Sequence, residues 1–366
     1  MPKAEHTSNK PFRLYISCCD SELLKLLDRS LNQFAIPTEE VLPDVISLSC
    51  KETALKELAS KLCEDFPAAQ RRDFACHVTQ EDEVPSISQL MHTCNLESLS
   101  EWIDTQWLQQ YLCTNRLTTF FQPIVDNQSP NRVFGYECLL RGVDEEGKVI
   151  PPLPLLIAAK KSGDLSELDQ LAMLTAIENA SQIGIDGCVF INFSPQHLIF
   201  DHNGFRQLIS SALKSGLPPE RFVFEITESD DLESVDLLLD ILVEFRNSGF
   251  RIALDDVGAG YNSLSRLAEI KPDFVKIDIE LIRGAHQDPF KGSVTRKLIE
   301  LSKELRCKTV AEGIETVDEW KWARDEGADY AQGFFFARPA AIPPLPSIVP
   351  YLDDEPFCPT STVNTN

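Results

Sequence analysis

Polar residues stand at or just after short apolar, β-branched segments throughout the last two thirds of this 366-residue chain. They are Glu137, Asn192, Glu225, Asp255, Asp256, Lys276, Glu312 and Gln332. Between the segments lie stretches with helical periodicity, for example 237–245 and 294–305. Strand alternates with helix at least six times, which predicts either a parallel α/β barrel or a doubly wound sheet.

The position of the polar residues favours the barrel. In a barrel, side chains at the carboxyl ends of successive strands meet at one mouth, whereas a doubly wound sheet gathers its ligand groups at one switch point. Nearly every predicted strand here ends in a polar residue. The chain is also long enough for a barrel of about 250 residues and one small additional domain.

The predicted mouth is acidic. A single acidic residue in a strand is usually structural, but several carboxylates buried together without a countercharge are strongly unfavourable. Carboxylate and amide oxygens suit Mg²⁺ or Mn²⁺, and the neighbours Asp255 and Asp256 would let one carboxylate bridge two ions. Two ions about 3.5–4 Å apart stabilise the entering and leaving oxygens of a phosphoryl displacement.

The ordered set of polar residues resembles the EAL domain of bacterial cyclic di-GMP phosphodiesterases, from about Leu117 to about Pro339. The tripeptide that names the family is here Glu137-Cys138-Leu139, with Cys in place of Ala. The resemblance implies a TIM-like (β/α)8 barrel at residues 113–342 that hydrolyses cyclic di-GMP to linear pGpG. It implies two Mg²⁺ or Mn²⁺ ions per active site, with Ca²⁺ inhibitory.

The resemblance also implies a role for each matched residue. The first ion is assigned to Glu137, Asn192, Glu225 and Asp255, and the second to Asp255, Asp256 and Glu312. Lys276 lies beside the attacking water and steadies its hydroxide form, and Glu312 is the proton acceptor if a protein base is needed. Gln332 orients a metal-bound water, and Glu228 holds the loop after Asp256. Substrate contacts are implied for Gln122, Leu139, Arg141, Asp278, Glu315 and Pro339, and the planar fork of Arg141 suits a phosphate.

The glycine-rich loop at 258–263 is a second point of comparison. The family uses this loop to link dimer contacts to metal binding, so the resemblance implies a homodimer through the barrel. Family members commonly carry Phe where this chain has Val257. The loss of an aromatic side chain there affects dimer coupling and leaves the ligand chemistry intact.

Two other functions remain open. One is a catalytically silent cyclic di-GMP receptor, although such receptors usually lose metal ligands and this chain keeps every matched one. The other is a different Mg²⁺-dependent phosphoryl-transfer barrel, for which no distinguishing motif is present.

Composition limits the location and the partners. A formal net charge of −23 disfavours DNA and anionic membranes as partners. No apolar segment approaches the roughly 20 residues of a membrane span, and no export signal follows the first residues, so we expect a cytoplasmic protein. The 11 cysteines include no pair at zinc-finger spacing and are expected to be buried thiols; a redox sensor is the alternative.

Residues 1–112 are predicted to form a regulatory or sensory α/β domain whose input signal is unknown. Strands at 13–18, 45–49 and 75–79 alternate with helices at 22–31 and 52–63, which suggests either a degenerate receiver domain or a dimerisation module. Apolar residues from Leu96 to Leu112 recur at helical spacing and predict an amphipathic connector into the barrel. Residues 343–366 are a Pro-rich and polar tail, predicted to be partly disordered.

Overall fold

The computed structural model describes residues 12–32, 37–42, 44–80, 94–96, 98–99, 105, 107–114, 116–195, 202–227, 235–259 and 263–347. The chain forms two compact units. One consists of Met1–Cys113 with Ile157–Asp164, and the other of Thr114–Leu156 with Leu165–Asn366. No helix within the described ranges has both the length and the apolar composition needed to cross a bilayer.

The first unit is built on an antiparallel sheet in the order β2-β3-β1-β4-β5. Its strands are β1 (Phe12–Cys18), β2 (Thr38–Leu42), β3 (Val45–Cys50), β4 (Phe74–Gln80) and β5 (Cys94–Asn95). Its helices are α1 (Ser21–Asn32), α2 (Glu52–Asp65), α3 (Ala68–Arg71) and α4 (Trp107–Cys113). The first six major elements follow the split βαββαβ order of ferredoxin-like domains.

The predicted strands and helices of this unit are present, but the receiver-like interpretation is wrong. A receiver domain has a parallel sheet, whereas β2 and β3 here form a tight hairpin in which Leu42 pairs with Val45. The turn residue Asp44 has a φ of 69°, a conformation that hairpin turns require and that Asp tolerates. This hairpin reverses the direction of β3, and the short acidic β2 was absent from the prediction.

The core of the first unit lies between the sheet and its two long helices. Alternate residues of β1, including Leu14 and Ile16, pack against Leu27 of α1 and Leu58 of α2. Within the predicted connector, Leu99, Thr105 and Trp107–Cys113 are described as helical, and Ile103 lies outside the described residues.

The second unit is a closed barrel of eight strands. The barrel strands are β6 (Leu117–Asp126), β7 (Ser129–Val143), β9 (Cys188–Asn192), β10 (Phe222–Thr227), β11 (Arg251–Val257), β12 (Phe274–Ile277), β13 (Lys308–Ala311) and β14 (Tyr330–Gln332), with β8 (Val149–Ile150) beside β7. The helices are α5 (Pro152–Ser162), which spans the division between the units, α6 (Leu165–Ile183), α7 (His202–Lys214), α8 (Val235–Asn247), α9 (Ser263–Ile270), α10 (Ile279–Ile282), α11 (Pro289–Glu304) and α12 (Val317–Asp325). A 3₁₀ helix covers Pro219–Arg221.

The predicted barrel is therefore confirmed, with one strand reversed. Strand β6 runs antiparallel to both β7 and β14, and the other barrel pairings are parallel. After β14, the described chain to residue 347 contains no α-helix. It continues as an extended segment in which Ala340 exchanges two backbone hydrogen bonds of 2.8 and 3.1 Å with Phe121 of β6.

Alternation along the strands separates two environments in the barrel. One side of each strand packs against the helices, as Ile191, Phe224, Leu254 and Val275 do. The other side fills the lumen with an apolar layer: Ile124, Cys188, Phe190, Val223, Ala253, Phe274 and Val310. This layer closes the barrel below the polar residues at the strand ends.

Glu319 joins the start of α12 to a neighbouring loop. Its carboxylate accepts hydrogen bonds from the backbone amides of Gly284, Glu315 and Thr316 at 3.0–3.2 Å, and Glu319 and Thr316 form a capping box. Burial opposes ionisation, but these donors outweigh it and lower the pKa of Glu319.

We expect Glu319→Ala to lower the free energy of unfolding by about 1–2 kcal/mol, since it removes a cap and three hydrogen bonds to backbone amides. Because the pKa is lower in the folded state, this stabilisation is present above the unfolded pKa of Glu and is lost as pH falls below it. Urea unfolding at pH 7 and at pH 4 measures both effects. Glu319→Gln serves as the control that keeps an acceptor without the charge, and an unchanged pH dependence in that variant would contradict the interpretation.

Candidate metal centre at the barrel mouth

A polar layer lies directly above the apolar layer of the lumen. On five strands the polar residue stands two positions after an apolar lumen residue, so both point to the same side of the strand: Phe190 and Asn192, Val223 and Glu225, Ala253 and Asp255, Phe274 and Lys276, Val310 and Glu312. Gln122, Glu137 and Gln332 complete the layer from β6, β7 and β14. The structure thus brings together the residues that the sequence predicted at one mouth.

Lys276 lies at the centre of this layer, and its side chain is only 1% exposed. Its Nζ lies 2.8 Å from Glu225 Oε1, 3.0 Å from Asp255 Oδ1 and 2.8 Å from Glu312 Oε1. Glu137 Oε2 is 3.9 Å away. One ammonium group therefore contacts four carboxylates that come from four different strands or strand ends.

A β-bulge places two neighbouring carboxylates at the mouth. The pairing of β11 with β12 shifts between Leu254 and Val257, so that Leu254 pairs with Val275 and Val257 with Ile277. The extra residue interrupts the alternation and leaves both Asp255 and Asp256 on the site side. Asp256 has a φ of 55°, and its backbone amide donates to Asp255 Oδ1 at 2.9 Å. Asp255, Asp256 and Glu312 each offer an oxygen within 4.8 Å of the others.

The carboxylates outnumber the cations, and the pKa values of Glu225, Glu312 and Asp256 are raised. Burial raises the pKa of Glu225 well above the usual range; Lys276 opposes this shift, and Glu137 and Asp255 add to it. Burial and Asp255 raise the pKa of Glu312 in the same way. Burial and then Asp255 raise the pKa of Asp256 to about 6. Burial lowers the pKa of Lys276, but the surrounding carboxylates, Asp255 first, outweigh it and raise that pKa.

A buried oxygen without a partner shows that the site suits a cation. Glu225 is fully buried, and its Oε2 has no hydrogen-bond partner among the described residues. Such an atom is unfavourable unless a ligand satisfies it. Hard oxygen donors of this kind match Mg²⁺ or Mn²⁺, so the residues present fit the predicted metals.

Gln332 connects the carboxylates to the first strand. Its Nε2 donates to Glu137 Oε2 at 2.5 Å and to Gln122 Oε1 at 3.3 Å, while Asn192 Nδ2 donates to Glu137 Oε1 at 3.3 Å. The Oε1 atom of Gln332 is buried and has no hydrogen-bond partner among the described residues. That atom is an acceptor available to a water molecule at the mouth.

The predicted phosphate contact, Arg141, has a partner that the sequence interpretation missed. Its guanidinium lies 5.2 Å from the centroid of the Phe120 ring and donates to the carbonyl of Leu140 at 2.7 Å. Stacking of this kind fixes a long, mobile side chain. Phe120 stands two positions before Gln122 and so lies on the same side of β6, but its place beside Arg141 follows only from the register of β6 against β7.

The other predicted substrate contacts differ in their surroundings. Asp278 is the N-cap of α10 and accepts from the Glu280 amide at 2.7 Å, and its charge contributes to the raised pKa of Asp256. Glu315 forms an exposed ion pair with Arg283 at 2.6 Å. Leu139 pairs with Phe120 between β7 and β6, and Pro339 precedes the bridge at Ala340. Glu228 and residues 260–262 of the predicted dimer loop lie outside the described residues.

Both departures from the family pattern are buried on the helix side of the barrel. Val257 is fully buried and Cys138 is 6% exposed, and both belong to the core between strands and helices. Val257 therefore contributes to packing. Burial, with Glu137 and Glu225, raises the pKa of the Cys138 thiol well above its usual value, so the thiol is neutral and unreactive.

We expect Cys138→Ala to leave the affinity for Mn²⁺ unchanged within about twofold, because the side chain points away from the carboxylates, and to reduce stability by about 1 kcal/mol. Calorimetric titration and urea unfolding measure these quantities. Cys188→Ala, in the apolar lumen layer, is the matched control. A tenfold loss of affinity in Cys138→Ala alone would show that the thiol positions Glu137.

Comparison with known proteins identifies the family. The model of the EAL domain matches residues 105–339. The cyclic di-GMP phosphodiesterase PdeR of Escherichia coli (strain K12) is 31% identical over 246 residues, which are 65% of this chain and 36% of PdeR. The blue light- and temperature-regulated antirepressor BluF of the same organism is 27% identical over 230 residues, 62% of this chain and 55% of BluF. The chain thus spans about a third to a half of the length of these curated relatives.

Two solved structures resemble the fold. A standalone EAL protein from Vibrio cholerae O395, solved in its c-di-GMP bound form, matches with a TM-score of 0.59 and 29% identity, covering 65% of this chain and 98% of that one. Klebsiella pneumoniae BlrP1, solved as a manganese/cy-diGMP complex, matches with a TM-score of 0.57 and 24% identity over 90% of this chain and 96% of its own. The second likeness extends the shared fold beyond the barrel. As the sequence resemblance predicted, the chain belongs to the EAL domain family.

Proposed function

We propose that this chain is a metal-dependent phosphodiesterase that opens cyclic di-GMP to linear pGpG. The observation that carries the proposal is the polar layer itself: carboxylates on neighbouring strands surround one buried lysine, and the buried Oε2 of Glu225 has no hydrogen-bond partner in the part of the chain that the structure describes. The names of PdeR and of the ligand-bound Vibrio cholerae EAL protein support the choice of substrate.

In this proposal Glu137, Asn192, Glu225, Asp255, Asp256 and Glu312 hold two divalent ions. When bound, such ions offset the charge of a phosphodiester and favour attack by water. The acidic members of the layer supply charged oxygens for these ions, and Asn192 adds a neutral amide oxygen.

The remaining polar residues act on water and substrate. Lys276 Nζ donates to the attacking water and favours its loss of a proton, and Glu312 accepts that proton. Gln332 Oε1 accepts a hydrogen bond from water and fixes its orientation. Arg141, held over Phe120, donates to the phosphodiester oxygens. The apolar lumen layer excludes water from below, which strengthens each of these interactions.

The test is incubation of the purified chain with cyclic di-GMP and Mg²⁺, Mn²⁺, Ca²⁺ or EDTA, with products resolved by chromatography and mass spectrometry. We expect pGpG with Mg²⁺ and Mn²⁺ and little product with Ca²⁺, whose larger radius and flexible coordination suit binding better than turnover. Tight binding of cyclic di-GMP without any product would instead indicate a silent receptor. Brisk turnover in EDTA would contradict the metal assignment.

The proposal extends to assembly and regulation. We place the protein in the cytoplasm, in agreement with the buried free thiols of Cys18, Cys50, Cys138, Cys188 and Cys307. We assign it a homodimer formed through the barrel and a regulatory role for the first unit. Mass in solution and specific activity, measured over a concentration series, test the dimer. A chain that is monomeric and fully active at every concentration would refute it.

A further inference from the structure

Lys276 is the centre of the polar layer and not a residue at its edge. Three carboxylates lie within 3.0 Å of its ammonium group, and a fourth lies at 3.9 Å. The side chains concerned are nearly inaccessible: Lys276 is 1% exposed, Glu225 is 0% exposed and Asp255 is 9% exposed. Bulk water therefore does little to screen the repulsion between these carboxylates.

A countercharge stabilises a buried anionic cluster of this kind. Five carboxylates meet at the mouth, namely Glu137, Glu225, Asp255, Asp256 and Glu312, and Lys276 is the only cation with a described ion pair to any of them. Removing one partner of a buried ion pair is strongly destabilising, because the other charge is left uncompensated.

The oxygens that contact Lys276 belong to the residues to which the proposed function assigns the metals. Glu225 and Asp255 are assigned to the first ion, and Asp255 and Glu312 are assigned to the second. An ammonium group and a divalent cation in the same cluster both satisfy these oxygens, and their positive charges repel each other.

We propose that Lys276 is the resident counter-ion of the metal-free site: it holds the metal-ligating carboxylates together before any divalent ion enters, and it competes electrostatically with the ions that do. This role rests on the proposed function only in that divalent ions bind the same carboxylates. It is separate from any contact between Lys276 and the attacking water.

The direction of the effect on metal affinity distinguishes this role from simple support of the ligands. Removal of a residue that positions metal ligands lowers the affinity for the metal about 10–100-fold. Removal of a competing positive charge has the opposite sign. Loss of the lysine charge should therefore weaken the metal-free fold and strengthen metal binding in the same variant.

The experiment uses the full chain and Mn²⁺ alone, without nucleotide. Thermal unfolding in EDTA and in Mn²⁺, and calorimetric titration with Mn²⁺, are compared for the parent, Lys276→Met and Lys308→Met. In EDTA we expect the Tm of Lys276→Met to fall by about 10 °C. Mn²⁺ should recover most of that loss and bind about tenfold more tightly than to the parent. Lys308, 57% exposed and paired with Asp329, is the control and should change Tm by less than about 2 °C.

A second variant separates charge from packing. Lys276→Met combined with Glu225→Gln removes one charge of each sign, and we expect it to regain at least about half of the lost Tm in EDTA. This variant decides the matter if Lys276→Met alone does not fold: a folded double variant supports the proposal, and an unfolded one overturns it. An unchanged Tm of Lys276→Met in EDTA, or weaker Mn²⁺ binding, would also overturn it. Failure of the chain to hydrolyse cyclic di-GMP would refute the proposed function and leave these results standing.

Discussion

Asp255→Asn is expected to lower the hydrolysis of cyclic di-GMP by at least about 10³-fold, since bound metal supplies several kcal/mol of charge stabilisation and each 1.36 kcal/mol is tenfold in rate. Asp255 Oδ1 accepts from Lys276 Nζ at 3.0 Å and from the Asp256 amide at 2.9 Å. The proposed function also assigns Asp255 as a ligand of both metal ions. Asn preserves the shape and the hydrogen bond to the amide, but it lacks the charge. Initial rates of pGpG formation in Mg²⁺ and in Mn²⁺ measure the effect.

The control for this substitution is Asp186→Asn, which makes the same change in an ion pair with Arg221 where the Asp side chain is 95% exposed. Its rate should equal that of the parent within about twofold. Circular dichroism of each variant establishes that it is folded. If Asp255→Asn turned over cyclic di-GMP at the parent rate, the two-metal assignment would be wrong.

Lys276→Met is expected to lower kcat by about 10²–10³-fold while the Kd for cyclic di-GMP changes by less than about threefold. The reason is the burial of Lys276. Its side chain is 1% exposed, and its ammonium group is placed to contact the carboxylates and the proposed attacking water. Single-turnover rates at saturating Mn²⁺, together with equilibrium binding in Ca²⁺, separate the two quantities. Lys308→Met again provides the matched control.

The opposite result for Lys276→Met would change the mechanism. An intact kcat with a Kd raised more than tenfold would make Lys276 an anchor for the nucleotide. Saturating Mn²⁺ is essential to this measurement, because the metal-free variant is expected to be destabilised.

The residues of the polar layer were predictable because a strong physical constraint produces them. Carboxylates such as Glu225 and Asp255 are unfavourable in apolar segments unless a site requires them, so their repetition is informative. The helices between them carry a clear 3.6-residue period, as α8 and α11 show. These two signals together fix the alternation of strand and helix and the mouth at which the side chains meet.

Strand direction was not predictable, because a period of two carries no information on polarity. The antiparallel orientation of β6 is decided by the two-residue turn Asn127-Gln128, where Asp126 accepts from the amides of Gln128 and Ser129. The β2–β3 hairpin of the first unit was not predicted for a related reason. Polar and apolar residues do not alternate regularly in Thr38–Leu42, which reads Thr-Glu-Glu-Val-Leu.

Contacts between side chains of neighbouring strands could not be predicted from the sequence either. The stacking of Arg141 on Phe120 depends on the register of β6 against β7, which only the folded sheet defines. Asp278 shows the reverse situation, because an Asp directly before a short helix predicts an N-cap. The sequence interpretation gave it a substrate role and overlooked the local one.

The bulge in β11 makes the number of residues in that strand, in addition to their identity, a condition for the proposed activity. Loss of one residue at the bulge would restore regular alternation and leave one carboxylate instead of two at this point of the mouth, with Val257 still on the helix side. Every acidic residue of the pattern except one would still be present in such a chain. A family member with such a deletion would therefore be catalytically silent. A residue-by-residue comparison would nevertheless find nearly all of its metal ligands.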